Sequence, residues 1–212
     1  MNFKVLFMNQ QKYIDDLNEI KEMMNKSSKF ISLSGLSGIS AGIIALVGAY
    51  FAWINIYSET GYQNFDRALL SWEQLIQLLG IGFITLLLAV GFGIFFTRLK
   101  TKKAKQNIWD SQTKRLLINL LIPLLSGGVF CLLILLKGYI GLIAPLTLIF
   151  YGLALVNASK YTLTEVRSLG ILEIILGLIA TYFIGYGLIF WCIGFGVLHI
   201  VYGIIMEVKY KS

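Results

Sequence analysis

Six long apolar runs fill most of this chain, roughly at residues 30–53, 74–97, 116–136, 139–157, 168–185 and 187–206. A helix of about 20 apolar residues crosses the hydrocarbon core of a bilayer, so each run reads as a membrane-spanning helix. Of all residues 57% are hydrophobic and only 14% charged, against about 25% charged in a soluble domain. The predicted fold is therefore an all-α integral membrane protein of six transmembrane helices in three hairpins. The transmembrane domain spans 30–206, preceded by a cytoplasmic segment at 1–29 and followed by a short tail at 207–212. The leading segment is too short to enclose a hydrophobic core of its own.

Basic residues orient the spans. With the N-terminus inside, every one of the 18 lysines and arginines except Arg67 and Lys137 falls on the cytoplasmic side. Such a bias fixes orientation, so both termini are expected in the cytoplasm of a multi-pass protein of the cell inner (plasma) membrane. The net charge of +7 has the same origin. The densest cluster, Arg98, Lys100, Lys102, Lys103 and Lys105, is a topology determinant suited to contact with anionic lipid headgroups. No aromatic interleaving or nucleic-acid motif accompanies it, so nucleic acid is not an expected partner. A polar, mixed-charge stretch precedes the first run, so the first span rather than a cleavable signal peptide is expected to target the chain.

Residues 11–27 place Ile14, Leu17, Ile20 and Met24 on one helical face opposite Asp15, Asp16, Glu19 and Glu22. A surface-bound membrane helix is usually richer in lysine and arginine, so this face is suited to a cytoplasmic protein partner or simply leads into the first span. The outer loop at 54–73, with Tyr57, Tyr62, Phe65 and Trp72 after Trp53, reads as an interfacial aromatic belt.

Small residues mark close packing, because lipid tails provide no hydrophobic push between helices. Ser34, Gly38 and Gly42 smooth one face of the first span, which is expected to lie inside the bundle or at a homo-oligomer seam. Glycine also recurs at matched positions within each expected hairpin, at 42 and 93, 128 and 152, 177 and 203. That pattern predicts three related helix pairs, with Gly38, Gly42, Gly177 and Gly203 as packing residues.

Chemistry concentrates at two residues. Glu173 interrupts "GILEIILGLIA" (170–180) and shares a face with Gly170, Gly177 and Ala180. The single histidine, His199, shares its face with Cys192, Gly196 and Gly203. Glu173 lies as far before Tyr186, near the turn between the last two spans, as His199 lies after it. Equal depth on antiparallel neighbours predicts an intramembrane Glu173–His199 pair, sharing one hydrogen bond. Polar groups at such depth are costly and point to structural glue or to proton-linked function.

"GLSG" (35–38), followed much later by "HIVYG" (199–203), has the G-x-S-G and H-x-x-x-G patterns of rhomboid intramembrane proteases. In that family, however, the serine belongs to the fourth helix, and the tryptophan–arginine loop signature is missing here. With one histidine, H-E-x-x-H is excluded, and no phosphate-binding or dinucleotide motif occurs. Cys131 and Cys192 fall inside spans and suggest neither a disulfide nor a zinc site. No enzymatic activity, cofactor or metal is expected.

The stretch "GILEIILGLIATYF" (170–183) with its glycine-rich return helix resembles the HdeD-like acid-resistance membrane proteins. The whole chain resembles small six-helix proteins of bacterial inner membranes. These resemblances imply a stress- or pH-linked membrane component, or a sensor or scaffold for a partner. The alternative is a small proton-coupled transporter or channel using the Glu173–His199 pair.

Overall fold

The structure, a computed structural model, describes residues 34–57, 71–103 and 111–210. Outside them fall the amphipathic segment at 1–29, the start of the first apolar run, most of the aromatic outer loop, Lys105 and residues 211–212. Six helices account for nearly everything described, with no strand among the described residues. α1 (Gly35–Ala52) continues into a widened π turn at Trp53–Tyr57. α2 is Trp72–Lys103 and α3 is Ser111–Leu136. A 3-10 turn (Ile140–Leu142) leads into α4 (Ile143–Ala158), and α5 is Thr164–Tyr182. α6 (Gly187–Lys209) is α-helical at both ends and π-helical over Cys192–Leu198.

Several helices outrun the apolar stretches that announce them. α2 extends to Lys103 and α3 begins at Ser111, because lysine, arginine and glutamine are themselves good helix formers. Among the described residues, five helical stretches are long and apolar enough to cross a membrane: Gly35–Asn55, Trp72–Lys102, Ser111–Leu136, Ile140–Tyr161 and Gly187–Lys209. α5 has 19 residues but carries Glu165, Arg167 and Glu173. The outward surfaces between the two ends are largely apolar, with Phe83, Ile122, Leu125 and Leu178 among many exposed large side chains. That extent far exceeds the few hundred Å² of contiguous apolar surface a soluble monomer exposes.

Successive helices run antiparallel, so the start of α1, the end of α2, the start of α3, the end of α4, the start of α5 and the end of α6 share one end of the bundle. That end holds Arg98, Lys100, Lys102, Lys103, Lys114, Arg115, Lys160, Arg167 and Lys209 and is called the basic end below. At the opposite end the chain turns back at Gly138 (φ 85°) and Gly185 (φ 100°), left-handed conformations that glycine adopts without steric cost.

Helix pairing departs from three equivalent hairpins. α1 packs on α2 and α3 on α4, but α5 packs most extensively on α4, and α6 on α1. Bare backbone explains the preference. A methyl group on Gly42 would lie 2.6 Å from the Gly196 carbonyl oxygen of α6, and one on Gly203 would lie 2.5 Å from that of Gly35. Gly38 approaches both Gly203 and the His199 carbonyl. On the other side, Gly152 and Gly170 face each other backbone to backbone, and Gly177 packs on Pro145 and Ile149. The expected glycine register within hairpins is therefore not the packing register. Gly42 and Gly203 serve the α1–α6 seam, Gly152 and Gly177 the α4–α5 seam, while Gly93 and Gly128 meet nothing within 4 Å.

α3 and α4 are joined differently. Pro123 has no N–H to offer the carbonyl four residues earlier, which is that of Asn119. The Asn157 side chain of α4 donates to this freed carbonyl at 2.8 Å. Two apolar clusters complete the interior. Leu155, Leu163, Val166, Leu169 and Met206 gather toward the basic end. Leu135 and Ile140 meet Leu75, Leu78 and Ile143 at the opposite end, where α2 touches the α3–α4 turn.

Candidate functional site

The π stretch of α6 shapes the site. A π turn closes its backbone hydrogen bonds over five residues where an α-helix uses four, and such bulges are frequent at functional sites. Here the widened backbone contains Gly194 and Gly196 and ends at His199. Gly194 faces the Glu173 carboxyl directly: a methyl group at 194 would collide with Glu173 Oε2 and lie 2.5 Å from Leu148 Cδ2. Glycine at 194 is thus the reason a glutamate fits between α5 and α6.

Glu173 is fully buried, at 0% exposure, and neither of its carboxyl oxygens has a hydrogen-bond partner. The nearest donor is His199 Nδ1, 3.5 Å from Oε1. The structure therefore brings the two residues together, but the shared hydrogen bond expected between them is not made. His199 Nδ1 instead donates to the Gly194 carbonyl at 3.0 Å. A carbonyl only accepts, so Nδ1 carries the proton and, in the neutral ring, Nε2 accepts. Tyr151 of α4 provides the donor, its hydroxyl lying 2.8 Å from Nε2. Rings hold the imidazole in place: Phe195 stacks on it with centroids 5.9 Å apart, and Tyr151 lies 5.4 Å from it and 4.9 Å from Phe195.

On the far side of this group lies a cavity of about 240 Å³ toward the basic end. Tyr151, His199 and Tyr202 form part of its wall, with Leu155 of α4 and Leu169 of α5, and Ala89, Gly93, Leu116 and Leu120 border it on α2 and α3. Ser37 and Gly38 also line it. The Ser37 hydroxyl donates to the Ser34 carbonyl while His199 Nε2 is committed to Tyr151, so no Ser–His hydrogen bond forms.

At the basic end, Glu165 of α5 accepts hydrogen bonds from both Lys209 and the Tyr210 hydroxyl, closing α6 onto α5. Partial burial alone would raise the Glu165 carboxyl, but these donors prevail and hold it below the usual carboxylate range. Lys100 of α2 reaches the Tyr210 carbonyl at 3.5 Å. Among the described residues no group of three or more histidine, cysteine, aspartate or glutamate side chains is placed to hold a metal ion.

Tyr151 and Gly194 are the site residues that sequence reasoning missed. Gly194 sits in "CIGFG", whose paired glycines mark a tolerant backbone without revealing a π turn. Tyr151 carries no signal beyond its place beside Gly152 in the α4–α5 seam. Fold and site together define a class: an all-helical bundle with several helices apolar enough to cross a membrane, built around a buried carboxyl–imidazole–phenol group. No protein-family model, curated protein or solved structure matches the chain, so its own residues carry the functional argument.

Proposed function

We propose that this chain is a six-span protein of a bacterial inner membrane, with both termini cytoplasmic, and that it is a proton-linked membrane component whose working group is Glu173, His199 and Tyr151. The observation that carries this reading is the Glu173 carboxyl, fully buried and without a hydrogen bond, 3.5 Å from an imidazole N–H. An ionised carboxylate buried without a partner is very costly, so charge on Glu173 requires a donor to turn toward it. His199 is the donor in reach, and its Nδ1–H lies between two acceptors, Glu173 and the Gly194 carbonyl. The acid-resistance role implied by the likeness of residues 170–183 is of the same kind.

The succession of neighbours Tyr151, His199 and Glu173 favours proton movement as the way this linkage is used. A proton arriving from the basic end binds the Tyr151 oxygen as the Tyr151 proton passes to His199 Nε2. The His199 Nδ1 proton passes in turn to Glu173. Tyrosine and imidazole end neutral, and the carboxyl has gained one proton. Release from the carboxyl toward the opposite end of the bundle, with return of His199 to its starting tautomer, completes one passage. The basic residues at that end support a cytoplasmic position for this entrance.

Purified full-length protein in liposomes loaded with a pH-sensitive dye tests the proposal. Under an imposed pH gradient the wild-type protein should speed dissipation relative to empty vesicles. Glu173→Gln, which keeps shape but carries no exchangeable acid proton, should abolish the effect. Tyr151→Phe, lacking only the hydroxyl, should slow it at least tenfold. Wild-type vesicles indistinguishable from empty ones, or full activity in Glu173→Gln, would refute it.

A further inference from the structure

We propose that the cavity between α2 and α3 takes an acyl chain of an anionic lipid from the cytoplasmic leaflet, which names a ligand for the site and rests on the six-span reading above. α2 and α3 meet through Leu75, Leu78 and Leu135 at the end away from the basic residues. They are not packed together along their length, and the cavity occupies the gap toward the basic end. Its borders continue directly into the apolar outer faces of the same two helices, where Phe92, Phe95, Ile118 and Ile122 are exposed. In a bilayer such a gap faces hydrocarbon, so acyl chains rather than water are its neighbours.

Size and charge select the occupant. About 240 Å³ exceeds the ~150 Å³ apolar cavity that accepts benzene and falls below the ~300 Å³ at which drug-sized ligand sites begin. A single alkyl chain is the apolar body that enters such a space from its side. The headgroup is selected at the rim. Leu116 follows Lys114 and Arg115 immediately, and Gly93 lies roughly 7.5 Å from Arg98 at 1.5 Å per helical residue. Arg98, Lys102, Lys114 and Arg115 are all exposed, and no acidic residue lies on the described ends of α2 and α3 beside them. A phosphate or carboxylate headgroup at this rim lets its chain reach Tyr151 and His199. Chain occupancy and the proton group then share one wall, so each senses the other.

The test uses full-length protein in phosphatidylcholine vesicles doped with phosphatidylglycerol carrying a photoactivatable diazirine near the middle of one acyl chain. After irradiation, crosslinks are mapped by mass spectrometry. Labelling should concentrate at residues 89–93 and 116–120. Gly93→Trp should abolish it there, since a side chain at 93 enters open space and fills the cavity. Gly80→Trp, equally open but far from the cavity, should leave it unchanged. Removing Arg98 and Arg115 charges as glutamine should raise the lipid concentration for half-labelling roughly fivefold per residue. A phosphatidylcholine version of the probe should label weakly. Labelling spread evenly around α2, intact labelling in Gly93→Trp, or equal labelling by the phosphatidylcholine probe would overturn the inference. So would crosslinks between two copies of the chain at 89–93. Flotation with the vesicles reports separately on membrane insertion, on which the six-span reading rests, and lipid labelling in Glu173→Gln separates lipid binding from the proton-linked reading.

Discussion

Two glycine-to-alanine changes should have opposite effects, depending on which backbone each glycine faces. At Gly203 the added methyl would lie 2.5 Å from the Gly35 carbonyl oxygen and 2.6 Å from the Ile39 nitrogen, where ordinary contact begins near 3.4 Å. The shortfall, 3.4 − 2.5 = 0.9 Å, has to come from separating α1 and α6, because both obstacles are backbone atoms. A gap of 0.5–1 Å forfeits roughly a quarter to a half of each dispersion contact across it, so the cost belongs at the upper end of the ~1–3 kcal/mol seen for overpacking. Better helix propensity of alanine returns about 1 kcal/mol, which leaves Gly203→Ala destabilised by roughly 2 kcal/mol. At Gly93 nothing lies within 4 Å. Gly93→Ala should therefore be neutral or gain up to about 1 kcal/mol. Reversible unfolding in mixed micelles, followed by tryptophan fluorescence as the denaturing detergent fraction rises, measures both. Equal effects at the two positions, or a stabilised Gly203→Ala, would show that α1 and α6 are not in backbone contact.

The polar group should respond asymmetrically. His199→Leu strands the Tyr151 hydroxyl and the Gly194 carbonyl at roughly 1–3 kcal/mol for each buried group. Glu173→Leu removes an acid that has no hydrogen bond and should be neutral or stabilising; a large loss in the same unfolding assay would mean that Glu173 has a partner. A double-mutant cycle on Asn157 and Pro123 tests the α3–α4 bond. Asn157→Leu should cost about 1 kcal/mol beside Pro123 and less in a Pro123→Ala background, where the helix can supply the Asn119 carbonyl with its own donor. Identical costs in both backgrounds would deny the link.

Much of the architecture was legible because apolar length and small-residue faces depend only on local sequence. Runs of hydrophobic residues announced the helices, and charged loops announced which ends belong together. Glu173 and His199 stood out because an acid and the single imidazole are conspicuous in apolar surroundings, and equal spacing from Tyr186 suggested a common depth. Pairing was another matter. The glycines at 42 and 203 read as members of separate hairpins, yet their bare backbones serve one seam between the first and last helices. Which helix a smooth face meets depends on every other face in the bundle, and no periodicity within a single helix contains that information. The same holds for the hydrogen bonds of His199. Its depth follows from counting residues, but the choice of Gly194 and Tyr151 over Glu173 depends on a π turn that re-aims the imidazole and on a tyrosine brought from α4. Tertiary packing decided both, because a donor's partner is whichever acceptor the folded backbone places within about 3 Å.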